Sequence, residues 1–77
     1  MLNLYDIEKN VVGVVLKIDN NIDSKQRLAE MGLMPGADVR MIKKAPMGGP
    51  IQIKINNYYL TLRKEDAVSI YLEVSQS

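Results

Sequence analysis

Alternation of apolar and polar residues along the chain predicts a protein built mainly from short β-strands. The clearest case is IQIKINNYYLTL, residues 51–62, where apolar and polar residues alternate on both sides of two asparagines. If Asn56 and Asn57 form a two-residue turn, Ile55 pairs with Tyr58 and every other apolar residue also faces an apolar partner. Because a one-residue slip would pair isoleucines with polar residues, the pattern predicts both this hairpin and its register. It also directs Tyr58 toward the core.

Three further segments have the composition of strands. Two of them are residues 38–44 and VSIYLEV, residues 68–74, and the RKEDA before the latter predicts a single helical turn. The third, VVGVVLKI at residues 11–18, carries apolar side chains on both faces, which predicts a strand buried on most of its surface. One of these faces comprises Val12, Val14, Leu16 and Ile18, and the other comprises Val11 and Val15.

The segment DSKQRLAEMG predicts a short helix after the first long strand. Asp23 can accept hydrogen bonds from the first-turn amides, and Gln26, three residues later, completes a capping-box pattern. Gly32 is placed to take the left-handed conformation that ends a helix. The following MPGA, residues 34–37, has proline and glycine at its central positions, which is the sequence of a type II turn. The chain is therefore expected to reverse sharply into the strand at 38–44.

Together these elements predict a mainly β fold, in which five short strands form a small barrel and one short α-helix is inserted after the first long strand. A closed barrel is favoured over an open sheet because closure removes unpaired strand edges. At 77 residues the chain forms one domain, residues 1–77, with a frayed tail expected at about 75–77.

Composition excludes most catalytic chemistry. The chain has no cysteine and no histidine, which rules out thiol nucleophiles, histidine bases and soft metal sites. Its carboxylates are scattered, and Ser24 and Ser69 have no base to activate them. We therefore expect no catalytic residue, no cofactor and no metal site, and the protein is not expected to be an enzyme.

A glycine- and proline-rich loop, APMGGP at residues 45–50, precedes the hairpin. It is not a phosphate-binding loop, because its prolines lack N–H donors and it leads into a strand instead of a helix. Two interpretations remain: a plain hairpin connection, or a contact loop with Met47 at its tip, since methionine adapts to irregular partner surfaces.

Charge and hydropathy indicate a cytoplasmic protein. Ten Lys and Arg stand against nine Asp and Glu, and a net charge of +1 gives no long-range attraction to nucleic acid. The basic residues and tyrosines still leave a small nucleic-acid-binding barrel as an alternative function. No apolar run approaches the roughly 20 residues that span a bilayer, and the first residues lack the pattern of an export signal. We therefore expect no membrane insertion.

The corner after the predicted helix carries more apolar side chains than a small core can easily hold. Leu28 and Met31 share a helix face that must dock on the core, and Leu33 and Met34 cannot both join them there. We therefore expect an apolar side chain near Pro35 to be exposed. An exposed apolar patch on a small domain indicates a protein partner.

The segments RLAEMGLMPGADVRMI and APMGGPIQIKINNYYLTLRKEDAVSIYLE resemble the FeoA family, the small cytosolic component of bacterial ferrous iron transport. The resemblance runs from about Leu4 to Leu72, and its motifs are specific in combination. Lys9 and Asn10 depart from it, because a glycine-containing turn is expected there. The residues that carry the resemblance are Arg27, Leu28, Met31, Gly32, Leu33, Pro35, Gly36, Gly48, Gly49, Pro50, Leu62, Arg63 and Ala67.

The resemblance implies an SH3-like barrel with a helical insertion, and a partner, the membrane ferrous iron transporter with its cytosolic GTPase domain. The chain would then be a non-catalytic interaction module that assists or regulates iron uptake; a homo-oligomer and a regulatory domain acting with a metal-responsive protein are alternatives. Without His or Cys it offers ferrous iron only oxygen ligands, so direct high-affinity iron capture is not expected. The expected partner-binding residues are Arg27, Leu28, Met31, Leu33, Met34, Pro35 and Met47.

Overall fold

A computed structural model describes residues 2–20 and 25–74 of the chain. The predicted cap residue Asp23 and the predicted tail at 75–77 lie outside these ranges. In chain order the elements are β1 (Leu2–Asn3), a 3-10 turn (Leu4–Asp6), β2 (Val12–Ile18), α1 (Lys25–Glu30), β3 (Asp38–Lys44), β4 (Ile51–Ile55), β5 (Tyr58–Leu62), α2 (Lys64–Ala67) and β6 (Ile70–Val74). The strands form one antiparallel sheet in the order β1, β6, β2, β3, β4, β5.

One apolar core holds the sheet and both helices together. The sheet curls around this core, and the three dimensions of the fold are nearly equal at 29 × 29 × 26 Å. Among the described residues, no polar or charged side chain is buried in it. The mainly β class predicted from the sequence is therefore confirmed. The core residues are Leu4, Ile7, Val15, Ile18, Leu28, Leu33, Val39, Met41, Ile51, Ile53, Ile55, Leu62, Ala67, Ile70 and Leu72.

The described residues contain six strands, one more than the five predicted. β1 comprises only two residues, with Leu2 opposite Leu72 of β6, and two residues are too few to show an alternating pattern. Within the described ranges the hydrogen-bonded order starts at β1 and ends at β5, so the expected closure of the strand ladder is not observed there. β5 is therefore an edge strand of a curled sheet.

The hairpin of β4 and β5 has the predicted register, from Ile55 opposite Tyr58 to Ile51 opposite Leu62. Asn56 in its turn adopts a left-handed φ of 54°, which asparagine tolerates better than most residues. The isoleucines of β4 are buried, as predicted. Tyr58, however, remains 36% exposed, because it lies at the start of an edge strand. It lies opposite the buried Ile55 and so on the same face of the hairpin, as predicted, but it is only partly covered there.

β2 does not have the two buried faces that its sequence predicts. Its pairing with β6 shifts by one residue between Val15 and Lys17, because Leu16 is inserted as a β-bulge. Val14 and Leu16 lie on the exposed face and Val15 on the buried one, and the bulge leaves Lys17 exposed as well and returns Ile18 to the core. The predicted burial of most of this strand is therefore wrong, and Leu16 faces solvent.

α1 ends in a Schellman motif, as the position of Gly32 predicts. Gly32 has a φ of 96°, and its N–H donates to the Ala29 carbonyl at 3.0 Å. The N–H of Leu33 donates to the Leu28 carbonyl at 2.9 Å, which completes the motif. This ending directs the chain from the helix into the core at Leu33.

The first turn of the chain has asparagine where a glycine is expected. Asn10 takes a φ of 69°, in the left-handed region that glycine favours and asparagine visits more readily than other residues. Its N–H donates to the Met41 carbonyl at 2.7 Å, which ties the chain before β2 to β3. Asn10 therefore supplies the conformation for which glycine was expected.

Tyr71 on β6 is expected to ionise at a higher pH than an ordinary tyrosine. The charge of Asp19, whose Oδ2 accepts a hydrogen bond from the Tyr71 hydroxyl at 3.3 Å, raises the pKa of Tyr71 above 10.0. Partial desolvation and the hydrogen bond itself add to this effect. Because the folded chain favours the protonated hydroxyl, the contact stabilises the fold below the ordinary pKa and loses its effect as the pH rises through the raised one.

Asp19→Asn is expected to move the pKa of Tyr71 back toward its ordinary value. An ultraviolet titration of tyrosinate measures this shift, and Tyr71→Phe assigns the signal among the four tyrosines. An identical titration curve in Asp19→Asn would contradict the electrostatic cause.

Candidate functional site

The corner predicted at residues 34–37 has the geometry of a type II turn. The N–H of Ala37 donates to the Met34 carbonyl at 3.0 Å, and Gly36 has a φ of 95°. A type II turn requires a positive φ at this third position, and Pro35 before it has its own φ fixed near −65° by its ring. The backbone of the corner is therefore rigid.

Backbone hydrogen bonds to β2 fix the corner in the fold. The N–H of Gly36 donates to the Val15 carbonyl at 2.8 Å, and the N–H of Val15 donates to the Ala37 carbonyl at 2.9 Å. Because Leu16 follows Val15 and Pro35 precedes Gly36, these bonds bring Leu16 and Pro35 next to each other. The bulge in β2 and the corner thus meet at one place.

Apolar side chains face solvent where they meet. Met34 is 43% exposed, Leu16 is 42% exposed, and Pro35 is also exposed. Earlier in the chain, Arg27 on α1 is exposed and Met31 just after it is half-buried. We call Leu16, Met34 and Pro35 the corner surface; Arg27 and Met31 precede Met34 and Pro35 in the chain. Sequence reasoning missed Leu16, because apolar residues on both faces of β2 predicted that both faces are buried, whereas the face of Val14 and Leu16 is exposed.

Two of the predicted contact residues cannot touch a partner in this fold. Leu28 on α1 and Leu33 after it are both completely buried. They belong to the core, where they dock a helix that is too short to be stable by itself. Their assignment to partner binding is therefore corrected: they support the corner from inside, and Met34 is the side chain presented outside.

Met47 lies far from the corner surface. The corner precedes β3, whereas residues 45–50, which we call the tip loop, follow it. Because β3 has seven residues and a strand rises about 3.3 Å per residue, roughly 20 Å of strand separates the two regions. The structure therefore does not bring Met47 into one surface with Met34 and Pro35, although all three were named as partner-binding residues.

The tip loop is folded around two left-handed residues. Met47 and Gly48 have φ values of 60° and 73°, and the N–H of Gly49 closes the turn on the Pro46 carbonyl at 3.2 Å. The Met47 side chain is fully exposed. An exposed methionine in a left-handed conformation contributes neither buried area nor a favourable backbone to the fold. Folding stability therefore does not explain why methionine occupies this position.

Met47→Asn is expected to stabilise the protein slightly. Asparagine tolerates a left-handed φ better than methionine, and no buried contact is lost with the exposed side chain. We expect the free energy of unfolding, measured by urea denaturation, to rise by about 0.5–1 kcal/mol. A clear loss of stability would instead show that the methionine side chain supports the loop.

The corner surface offers exposed apolar side chains, and such residues are typical of the centres of protein interfaces. Among residues 2–20 and 25–74, no three acidic side chains lie close enough together to hold a metal ion. In the part of the chain that the structure describes, no helix is long and apolar enough to cross a membrane.

Comparison with known protein families shows which family the chain belongs to. The model of the FeoA domain matches residues 2–74, nearly its whole length. The chain belongs to the FeoA family. The resemblance seen in the sequence is thereby confirmed, and the curled antiparallel sheet with its short helices is the SH3-like fold of FeoA proteins.

Two solved FeoA structures are similar over almost the whole chain. A FeoA-like protein from Clostridium acetobutylicum is 30% identical with a TM-score of 0.85, over 99% of this chain and 88% of that one. FeoA from Stenotrophomonas maltophilia, solved in complex with zinc and described as a prokaryotic SH3 domain protein, is 25% identical with a TM-score of 0.81. That match covers 95% of this chain and 91% of the other.

A relative in Porphyromonas gingivalis carries the FeoA domain within a larger protein. It is an Fe(2+) transport protein A/Fe(2+) transporter FeoB fusion protein, 26% identical over 76 residues. The match covers 99% of this chain but only 9% of the fusion protein. The FeoA family is thus associated with ferrous iron transport, and in this relative it is joined to the transporter FeoB in one chain.

Proposed function

We propose that this chain is a non-catalytic protein-interaction module that assists or regulates bacterial ferrous iron uptake. Its partner is the membrane ferrous iron transporter FeoB, and it contacts the cytosolic part of that transporter, which carries the GTPase domain. The observation that carries this proposal is the corner surface, where Leu16, Met34 and Pro35 are exposed on a backbone fixed by hydrogen bonds.

Rigidity makes the corner surface suited to docking. An apolar patch gains free energy when a partner covers it, and a patch that is already ordered loses little conformational entropy on binding. Here the type II turn, the bonds to Val15 and the buried Leu33 fix the backbone before any partner arrives. The exposed Arg27 on α1 can add a charged contact that orients the complex.

The fusion in Porphyromonas gingivalis supports the choice of partner. Joining two domains in one chain raises their effective concentration toward each other, which favours even a weak contact between them. A separate chain must reach the same contact by affinity alone. We therefore place the docking energy of this chain in the exposed apolar residues of the corner surface.

The amino-acid composition favours action by contact over action by iron capture. With no histidine and no cysteine, the chain can offer a ferrous ion only oxygen ligands. No three acidic side chains gather within the described ranges to build even that kind of site. The proposed role is therefore to bind the transporter, not its cargo.

Titration of the chain against full-length transporter and against its isolated cytosolic GTPase domain tests this function. Each titration is run without nucleotide, with GDP and with a non-hydrolysable GTP analogue, by isothermal calorimetry. We expect saturable binding to at least the full-length transporter in one nucleotide state. Absence of binding in every state, with the fold intact by circular dichroism, would overturn the proposal.

A further inference from the structure

The tip loop presents Met47 on a constrained support at the opposite end of β3 from the corner surface. Beyond the turn that holds Met47, the N–H of Ala45 donates to the Pro50 carbonyl at 2.8 Å and closes the base of the loop. From the 3-10 turn, the Tyr5 hydroxyl donates to the Gly49 carbonyl at 3.3 Å. A fully exposed apolar side chain is therefore fixed in position by its loop while making no contribution to the core.

Two ammonium groups gather at the base of the same loop. The Nζ atoms of Lys44 and Lys64 lie 5.2 Å and 5.3 Å from the centroid of the Tyr5 ring, within the range of cation–π attraction. Among the described residues, neither Nζ has a carboxylate oxygen within 4.0 Å, the limit for a salt bridge. The ring thus holds both charges beside the loop without neutralising them.

The nearby acidic residues are paired with another cation. Arg63 Nη2 lies 3.8 Å from Asp66 Oδ2, and Arg63 Nε lies 4.0 Å from Glu65 Oε2. Lys43, beside Lys44, is also exposed. Residues 43–50 and 63–66 therefore contain four basic and two acidic residues, in a chain whose total net charge is only +1. Positive charge is concentrated around the tip loop.

We infer that the tip loop is a second interaction surface, which binds an acidic segment of a partner protein carrying an apolar residue or pocket for Met47. Carboxylates of that segment pair with Lys44 and Lys64, and the Met47 side chain packs against the segment's apolar residue or pocket. The adaptable thioether suits an irregular partner, and the charges steer it and set its orientation. This inference does not depend on the proposed docking of the corner surface.

A protein partner fits the loop better than a nucleic acid. Nucleic-acid surfaces pair basic residues with aromatic faces that are open to stacking bases. Here the Tyr5 ring is half-buried and already carries two ammonium groups, and the most exposed residue of the loop is aliphatic. The surface therefore offers an apolar anchor with charges beside it.

Panning a random dodecapeptide library displayed on phage against the full chain tests this inference. We expect enriched peptides to have a net negative charge and at least one large apolar residue. Synthetic copies of them should bind Lys64→Glu and Met47→Asn each at least about tenfold more weakly than the wild type. Lys17→Glu is the matched control, because Lys17 Nζ also lies over a tyrosine ring, 5.4 Å from the Tyr71 centroid. Its affinity should remain within about twofold.

Three results of the panning and the peptide-binding measurements would overturn the inference. They are a failure to enrich any peptide, enrichment of neutral or basic peptides, and equal loss of binding in Lys17→Glu and Lys64→Glu. A short DNA duplex that displaces the peptides at equal concentration would also overturn it, since the loop would then be a general polyanion site. No transporter is used, so this outcome and that of the transporter titration are independent.

Discussion

Leu33→Ala is expected to lower the free energy of unfolding by about 2–5 kcal/mol. Leu33 is completely buried and follows the glycine that ends α1, so truncation leaves a cavity beneath the corner and loosens the docking of the helix. A domain of 77 residues has a total stability of roughly 4–12 kcal/mol, so this single change removes a large share of it. Urea denaturation with circular dichroism measures the loss.

The neighbouring residue provides the control. Met34 is 43% exposed, so Met34→Ala is expected to change the free energy of unfolding by no more than about 0.5 kcal/mol. Comparable losses in the two variants would show that Met34 also carries core packing, which would contradict its role as a contact residue. A small loss for Leu33→Ala would show that the corner is not supported from inside.

Local sequence rules predicted the parts of the fold in which neighbouring residues determine the geometry. The register of the β4–β5 hairpin follows from alternation, the ending of α1 from Gly32, and the type II turn from Pro35 and Gly36. In each case the preference is encoded within a few residues. The same features place an exposed apolar corner after the helix. Met34 and Pro35 of the candidate site were therefore predicted from the sequence, whereas Leu16 was not.

The exposure of Leu16 could not be predicted in this way. Apolar residues on both faces of the segment 11–18 indicate burial of both, whereas the fold covers only the face of Val15. The bulge that returns Ile18 to this face depends on how β2 pairs with β6, a strand more than fifty residues later. β1 could not be predicted for a similar reason, because a strand of two residues shows no alternating pattern. Features that arise from pairing between distant strands require the structure.

The largest difference between the sequence-based expectation and the structure concerns which partner-binding residues lie together. Sequence reasoning named Met34 and Met47 together among the residues expected to bind the transporter. In the fold, β3 runs between them and puts them at opposite ends of a seven-residue strand. The chain therefore has two separate exposed methionines in different surroundings, one beside Leu16 and Pro35 and the other beside Lys44 and Lys64.

Met34→Asp is expected to weaken binding to the ferrous iron transporter by about 2–4 kcal/mol, or roughly 30- to 1000-fold in Kd. If Met34 is the apolar centre of the docking surface, the substitution removes its buried area and puts an unpaired charge into the interface. Leu16→Asp is expected to act in the same direction, because its side chain faces solvent beside Pro35. Calorimetric titration against full-length transporter, in the nucleotide state that binds the wild type, measures both.

Leu2→Asp is the matched control for this experiment. Leu2 is 41% exposed, nearly the same as Met34, but it lies on β1, which is separated from β3 by β6 and β2 in the sheet. Equal weakening by Leu2→Asp and Met34→Asp would indicate a general effect of added negative charge and would remove the corner surface as the docking site. Selective weakening by Met34→Asp, with thermal stability within the range of the control, would place the contact at the rigid corner that Gly36 and Pro35 create.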